Sequence, residues 1–600
     1  MIVEMKKIVV LCTQSNQDEM LESLRSLKVL HLDKIKETNN EKLELVSKKI
    51  DDIEKTKVIL NSFKNNEFKN DKIDNLIEET LLLNNDLESF QNKEKQITDE
   101  IIRIEDFGDF NPKDVKQLVS QGIYVKLFKL NKKEKLNFPN DVFIRKIGNN
   151  KSDNFYISFS KNEFLKDIDG ITLPENSLTE LFSELEKTRE KIEELKVKIS
   201  NLSSYMNSLD KINDNAYDDY NFQSVKYGME SFDNILFLKG FIPKDRIAEL
   251  KKAAEVKGWA YKISDVTSDD NPPTLLKNPK WVSPIKSALD IIAVLPGYKE
   301  LDVSAVFLIF LSIFFAFIIG DAGYGILFLL TTLFAKFKFK QPKIKCGLNL
   351  LLIMSSCTVI LGMLTGNYFG IPIENLPKSL QVLTNPFLTG WESTYSIWNK
   401  KIATNNIMFI CFSIGLIHLS IARIWNFIRK INSSSCLIDL GWFFCSLSLY
   451  IFVLGLVIDP SWNWFVLINN YKLMVLALGS IFVFAGLLLT KAYIGIVTLF
   501  LDIISNFVDI ISYIRLYAVG TASLEIALAF NKIALGSNLD NNLTFGAVLI
   551  LFAGHTLNII LAVMGVMVHG IRLNTLEFSG HAGIEWAGIS YKPFSRISKY

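Results

Sequence analysis

The spacing of apolar residues changes character near residue 300. Before it, they recur at steps of three and four. Leu43, Val46, Ile50, Ile53 and Leu60 take the a and d positions of a heptad that Lys57 interrupts. A second run is Ile73, Leu76, Thr80, Leu83, Leu87, Phe90, Ile97, Ile101 and Ile104. A third is Leu178, Leu181, Leu185, Thr188, Ile192, Leu195, Ile199, Leu202, Met206 and Leu209. Such steps, sustained over about four heptads, predict a coiled-coil seam. The third run spans roughly 45 Å at about 1.5 Å per residue.

Between the second and third runs, strand-like stretches at 123–130, 142–147 and 155–160 accompany a helical stretch at 112–120. A further strand, helix and strand are predicted at 235–241, 244–256 and 259–263. The opening MIVEMKKIVVLC lacks a long apolar core and reads as a strand at 8–12, not as a signal peptide. The simplest arrangement is a cytoplasmic α/β dumbbell with an antiparallel coiled-coil shaft. Its proximal lobe takes 1–35 and 215–300, its shaft 36–108 and 176–212, and its distal lobe 109–175. The strand near Ile8 joins the proximal lobe.

From Leu301 the chain is a succession of long apolar runs, and 301–600 reads as an α-helical polytopic membrane domain of about eight transmembrane helices. The runs are 304–320, 322–336, 347–364, 406–424, 437–458, 473–489, 499–531 and 544–572, judged against the roughly 20 residues a crossing needs. The second is short and the last two are long. Basic clusters at 336–345, 423–430, Lys491 and 592–599 fall on one side of an alternating topology. The loops opposite, at Asp321, 459–470 and 538–542, are acidic or mixed, although 365–401 carries lysines. This places both termini in the cytoplasm of a multi-pass protein of the cell membrane.

Composition narrows the classes. Half the residues are hydrophobic (49%) while 22% are charged, which fits a chain split between water and lipid. A net charge of +2 points to no nucleic-acid partner. Cys12, Cys346, Cys357, Cys411, Cys436 and Cys445 have no ligand spacing and imply no disulfide framework. No GxxxxGK[ST], HExxH or CxxC pattern occurs, so no catalytic residue, metal site or cofactor is expected.

The candidate chemistry lies in the membrane. FVDIISYIRLYAVGTASLEIALAFN, residues 507–531, carries Arg515 and, ten residues on, Glu525. An arginine at mid-membrane costs about 2.5–3.5 kcal/mol on insertion scales. Its near neighbours Ala518 and Ala522 are small, so a partner bearing a carboxylate can come close. Asp502 and Asp509 lie on the cytoplasmic side of Arg515, and Glu525, buried by its apolar surroundings, on the other. The last run brings His555, Asn558, His569 and Arg572, followed by Glu577, His581 and Glu585. Arg515 is either a fixed internal ion pair or part of an ion path. In the second case, two polar entrances are separated by a positive barrier. Asp321 reads as a turn residue, His418 as a packed histidine, and His555 and Asn558 as packing or channel groups.

Several stretches resemble the membrane stator subunit of V/A-type rotary ATPases, called subunit a in eukaryotes and subunit I in prokaryotes. They are PTLLKNPKW (273–281), GDAGYG (320–325), GNYFGIP (366–372), ISYIRLYAVG around Arg515, HGIRLNTLEF around Arg572, and GISYKPF (588–594). The resemblance implies that Arg515 faces the rotor ring, that Arg572 assists it, and that Glu525, Asp502, Asp509 and His569 border the ion path. It implies a non-catalytic subunit coupling ATP hydrolysis or synthesis to H⁺ or Na⁺ movement. The implied partners are a rotor ring of small membrane subunits, peripheral stalk subunits, the soluble ATPase head through those stalks, a central-stalk ring adaptor, and membrane lipid. Eukaryotic members carry a histidine where this chain has Ser523 and a glutamate where it has Ala562, so Glu525 is left to take part of that role. Two other readings stand beside this one: a stand-alone secondary transporter with a cytoplasmic coiled-coil regulatory domain, and a membrane-anchored scaffold or sensor.

Overall fold

The structure is a computed structural model and describes residues 1–33, 40–63, 75–131, 142–150, 153–161, 170–232, 234–339, 341–392, 397–398, 400–458, 465, 468–536 and 544–596. Ile73, Lys340, Lys599, the 538–542 loop and most of 459–470 lie outside these residues.

The chain opens with β1 (Met5–Thr13), α1 (Gln17–Leu27) and β2 (His31–Leu32). It goes out along α2 (Glu41–Ser62) and α3 (Leu76–Ile104) to α4 (Pro112–Ser120) and the strands β3 (Tyr124–Asn131), β4 (Phe143–Asn149) and β5 (Asp153–Ser160). It returns along α5 (Leu178–Leu202) and α6 (Met206–Tyr227) to β6 (Glu230–Phe232), β7 (Ile235–Pro243), α7 (Ile247–Lys257) and β8 (Ala260–Ser264). Local chemistry sets these limits. Asn111 caps α4, with Pro112 at the first helical position, and Ser177 and Glu180 form a capping box on α5.

The shaft pairs α3 with α5 and α2 with α6. Ile101, Ile104, Leu181 and Leu185 close one part of the seam, and Ile53, Leu60, Ile192, Leu195, Ile199 and Leu209 another. Lys57 does not break the heptad. The step from Ile53 to Leu60 passes through Thr56, which is fully buried and donates its hydroxyl to Asp52 O, while Lys57 pairs with Asp210 at 2.6 Å. A threonine satisfies its own oxygen on the preceding turn, so it can occupy a seam position that an apolar count overlooks. In the proximal lobe β1 runs antiparallel between β7 and β8, with Ile8 opposite both Gly240 and Ile263. Its alternation puts Ile8 and Val10 into a core with Met20, Leu24, Leu250 and Trp259.

The C-terminal half is helical. After α8 (Lys286–Ile292) come α9 (Ser304–Ile319), α10 (Ala322–Lys338) and α11 (Pro342–Thr365). Two short helices, α12 (Lys378–Gln381) and α13 (Pro386–Thr389), precede α14 (Lys400–Arg429), α15 (Cys436–Val457) and α16 (Lys472–Leu489). Then come α17 (Tyr493–Ile511), α18 (Ile514–Leu535) and α19 (Phe545–Gly565). Beyond α19 the helix continues through two π-helical segments, Val566–Gly570 and Leu573–Phe578, to Ser579–Ala582. Among the described residues six helices are long and apolar enough to cross a membrane, with α17 and α18 counted as one. The 16-residue α9 and 17-residue α10 complete the eight apolar runs. Phe307, Phe314 and Ile318 of α9 are at most 1% exposed, so this short helix is wrapped by the others. Asp321 caps α10 by accepting from Gly323 N and Tyr324 N, the turn role expected of it.

The C-terminal tail straps the last helix to the proximal lobe. Gly588 N donates to Leu295 O (3.1 Å), and a Cβ there would lie 2.2 Å from Pro296 O, so only glycine permits the approach. Tyr591 Oη donates to Val29 O (2.6 Å), Phe594 N donates to Leu30 O (2.8 Å), and the Phe594 ring enters the proximal core. Replacing it by alanine is expected to destabilise this joint by about 3–5 kcal/mol. Limited trypsinolysis would show it as faster cleavage after Arg596, whose pairing with Glu22 holds the end of the tail on the lobe.

Candidate functional site

Arg515 stands in the first turn after a break in the helix. Between α17 and α18, at Ser512 and Tyr513, the backbone tightens: Arg515 N bonds Ser512 O (3.2 Å) and Leu516 N bonds Tyr513 O (3.1 Å). Such i→i+3 bonds turn the side chains out of the register of the preceding helix. Leu516, Ser523, Ala527 and Asn531 of α18 face the bundle. Ala518, Ala522, Glu525 and Ala529 are exposed, and they continue the Arg515 position at steps of three and four. They form one open face of small residues, with a charge at each end of its first three turns.

Glu525 therefore lies on this exposed face, not in the interior as its surroundings implied. The reason is that α18 is apolar on both sides. A face turned to lipid or to another membrane subunit is as hydrophobic as one turned to the bundle, so hydropathy does not report burial there.

The carboxylate that meets Arg515 comes from the same chain. Arg515 Nη2 donates to Glu577 Oε1 at 3.0 Å, and Arg572 Nε lies 3.6 Å from the same oxygen. The Glu577 side chain is 5% exposed, against 23% for Arg515 and 55% for Arg572. Its second oxygen, Oε2, is buried without a hydrogen-bond partner among the described residues. Two guanidinium groups share one carboxylate, so the cluster keeps a net charge of +1 at the edge of the open face. Glu577 sits in the second π-helical segment. Five residues subtend about 140° around an α-helix, whereas the wider i→i+5 turn brings Arg572 and Glu577 towards one side.

The other expected residues divide. Asp509 Oδ2 accepts from His581 Nε2 (3.0 Å), and His581 Nδ1 accepts from Arg423 Nε (3.1 Å). Arg423 lies 3.8 Å from Asp439, which Lys430 also holds at 2.9 Å. Asp502 is exposed and accepts from Thr498 Oγ1 (3.0 Å), outside that cluster. His569 is half-buried in the first π-helical segment, and its Nδ1 has no partner among the described residues.

A second polar cluster lies on the other side of Arg515 along α18. Ser523 Oγ donates to Asn558 Oδ1 (3.0 Å), and Asn558 Nδ2 donates to Tyr324 Oη (3.0 Å). Tyr324 Oη pairs with His555 Nδ1 (2.7 Å), and His555 Nε2 with Asn531 Oδ1 (3.2 Å). The paired arginines thus lie between two hydrogen-bonded polar clusters. Of these groups, the roles of Glu577, Asp439, Tyr324 and Asn531 were not foreseen from sequence. For Asp439, Tyr324 and Asn531 the one available signal was that each is polar within an apolar run; Glu577 follows the last run and carried no such signal.

Comparison with known proteins follows the same lines. No family model matches the chain. It is 30% identical to the V-type ATP synthase subunit I of Borreliella burgdorferi, with all of both chains covered. It is 27% identical to V-type ATP synthase subunit I 1 of Treponema pallidum, over 99% of this chain and 100% of that one. The A-type ATP synthase subunit I of Methanocaldococcus jannaschii is 26% identical over 61% of this chain and 56% of its own. Each of the three is named as a subunit of an ATP synthase, and none as a stand-alone transporter or scaffold. A relative at this identity, covered over all of both chains, on a chain with an N-terminal α/β and coiled-coil half and a C-terminal half of long apolar helices, shows that the protein belongs to the V/A-type ATP synthase subunit I family, the membrane stator subunit of these complexes.

Proposed function

We propose that residues 301–600 guide H⁺ or Na⁺ past a ring of small membrane subunits, and that Arg515 is the barrier between two half-channels. The observation that carries this is the Arg515–Glu577–Arg572 cluster beside the open face of α18. A net positive charge in a dry setting repels a free cation and attracts an ionised carboxylate. A carboxylate arriving on the ring competes with Glu577 for Arg515, is held there ionised, and leaves when Glu577 takes the guanidinium back. Arginine suits this exchange because its fork donates to two acceptors and stays charged when desolvated. The cluster around Asp509 and His581 and the cluster around His555 and Asn558 border the two entrances. Glu525 sits on the ring-facing side of the second, Asp502 lies outside the first, and His569 stands beside the barrier.

On this reading residues 1–300 are the stator arm. The shaft and its distal lobe bind peripheral stalk subunits, which join the arm to the soluble ATPase head, and a central-stalk adaptor carries the ring. The head, not this chain, hydrolyses or makes ATP. The protein lies in the cell membrane, in contact with lipid, with both termini in the cytoplasm.

Cysteine cross-linking in the assembled complex tests the placement. Ala518→Cys, Ala522→Cys and Ala529→Cys are expected to form disulfides with cysteines on the outer helix of the ring subunit, and Ala527→Cys is not. Cross-links from Ala527 alone, or a protein purified without any small multi-copy membrane subunit, would sink the reading.

A further inference from the structure

A sealed aromatic box connects the two helices that carry Arg515 and Glu577. At its centre is His418 of α14, fully buried. One face of the imidazole stacks on Phe310 of α9 (centroids 4.0 Å, planes 18° apart) and the other on Phe578 (4.4 Å, 6°). Phe314 and Tyr513 close two edges. His418 Nδ1 pairs with Tyr513 Oη at 2.8 Å, and Nε2 has no partner among the described residues. One turn earlier on α14, Gly415 makes room for the tyrosine: a Cβ there would lie 2.6 Å from Tyr513 Cγ.

The contacts are placed where they set the barrier. Tyr513 occupies the break before α18, two residues from Arg515. Phe578 follows Glu577 in the second π-helical segment. Both helices are therefore keyed into the same imidazole, one by a hydrogen bond and one by a stacked ring. We infer that His418 is a positioning residue for ion translocation: it holds Tyr513 and Phe578 in the register that brings Arg515 within reach of Glu577. The inference rests on the proposed reading of Arg515 as the ion barrier.

The residue type follows from the two contacts. A phenylalanine would keep the stack but leave the buried Tyr513 hydroxyl without its partner. An asparagine would keep a hydrogen bond but lose both stacked faces.

The test uses the complete rotary complex in proteoliposomes, reading ions transported per ATP hydrolysed. His418→Phe and Tyr513→Phe are each expected to assemble and to hydrolyse ATP, while transport per ATP falls roughly tenfold or more, as misplacement of a charge partner by about 1 Å does. The double variant is expected to be no worse than either single one, because both remove the same bond. Unchanged coupling in both single variants, additive losses in the double one, or losses that track a failure to assemble would each overturn the positioning role. Arg515→Ala, measured alongside, separates the two levels. If it too pumps normally, the barrier reading has failed; if it alone is inactive, only the role of His418 has.

Discussion

Arg515→Ala stops ATP-driven ion pumping in a complex that still assembles; that is the largest effect expected from any single substitution here. In the variant Glu577 remains with Arg572, 3.6 Å away in the parent structure, and the cluster falls from a net charge of +1 to zero. A ring carboxylate then meets no unspent positive charge and cannot cross the interface ionised. Removing one fixed charge partner from a dry site commonly costs a hundredfold or more in rate, and a loss of roughly that size is expected in ion uptake by proteoliposomes. Stability is the competing explanation, since breaking a buried ion pair costs about 3–5 kcal/mol. Here the cost is smaller, because Arg515 is 23% exposed and Glu577 keeps its second arginine. Arg515→Ala combined with Glu577→Ala leaves Arg572 alone and returns the cluster to +1, but that charge no longer stands at the Arg515 position on the open face of α18, so the variant is expected to assemble and stay inactive. Arg515→Lys is expected to fail too, because an ammonium point charge does not hold two carboxylates in one plane as a guanidinium does. Pumping retained in Arg515→Ala would end the mechanism.

Glu577→Gln is expected to slow the motor without uncoupling it. The amide keeps the shape and an acceptor for Arg515 Nη2, but the cluster rises from +1 to +2. A ring carboxylate then binds more tightly and leaves more slowly, because nothing charged competes for the guanidinium. An added hold of about 1.4 kcal/mol makes release about tenfold slower. Hydrolysis and transport should fall together, with ions per ATP unchanged, which distinguishes this variant from Arg515→Ala. A wild-type turnover rate would show that Glu577 does not compete with the ring. Loss of coupling would assign it to the barrier itself.

The two substitutions differ in how visible their residues were. Arg515 stands out because a lone guanidinium in an apolar run is costly and has few explanations. Glu577 does not, because it follows the last apolar run among other polar residues and meets Arg515 across 62 positions of chain. Its alignment with Arg572 depends on a π-helical turn, which residue spacing read at 3.6 per turn puts on the wrong side. His418 was legible as a packed histidine, yet the stacking that ties it to Phe310 and Phe578 joins three separate helices.

Periodicity and composition by themselves determined the division at about residue 300, the heptad seams of the shaft, the strand around Ile8, the apolar runs, and the presence of Arg515 and Arg572 among them. These are local properties, written in steps of two, three and four or in twenty-residue windows. The tertiary structure alone decided which face of α18 is open, where Glu525 points, which carboxylate Arg515 holds and which groups seal His418. In a membrane chain both faces of a helix are apolar, so burial leaves no periodic trace, and only the packing of one helix on another separates inside from outside.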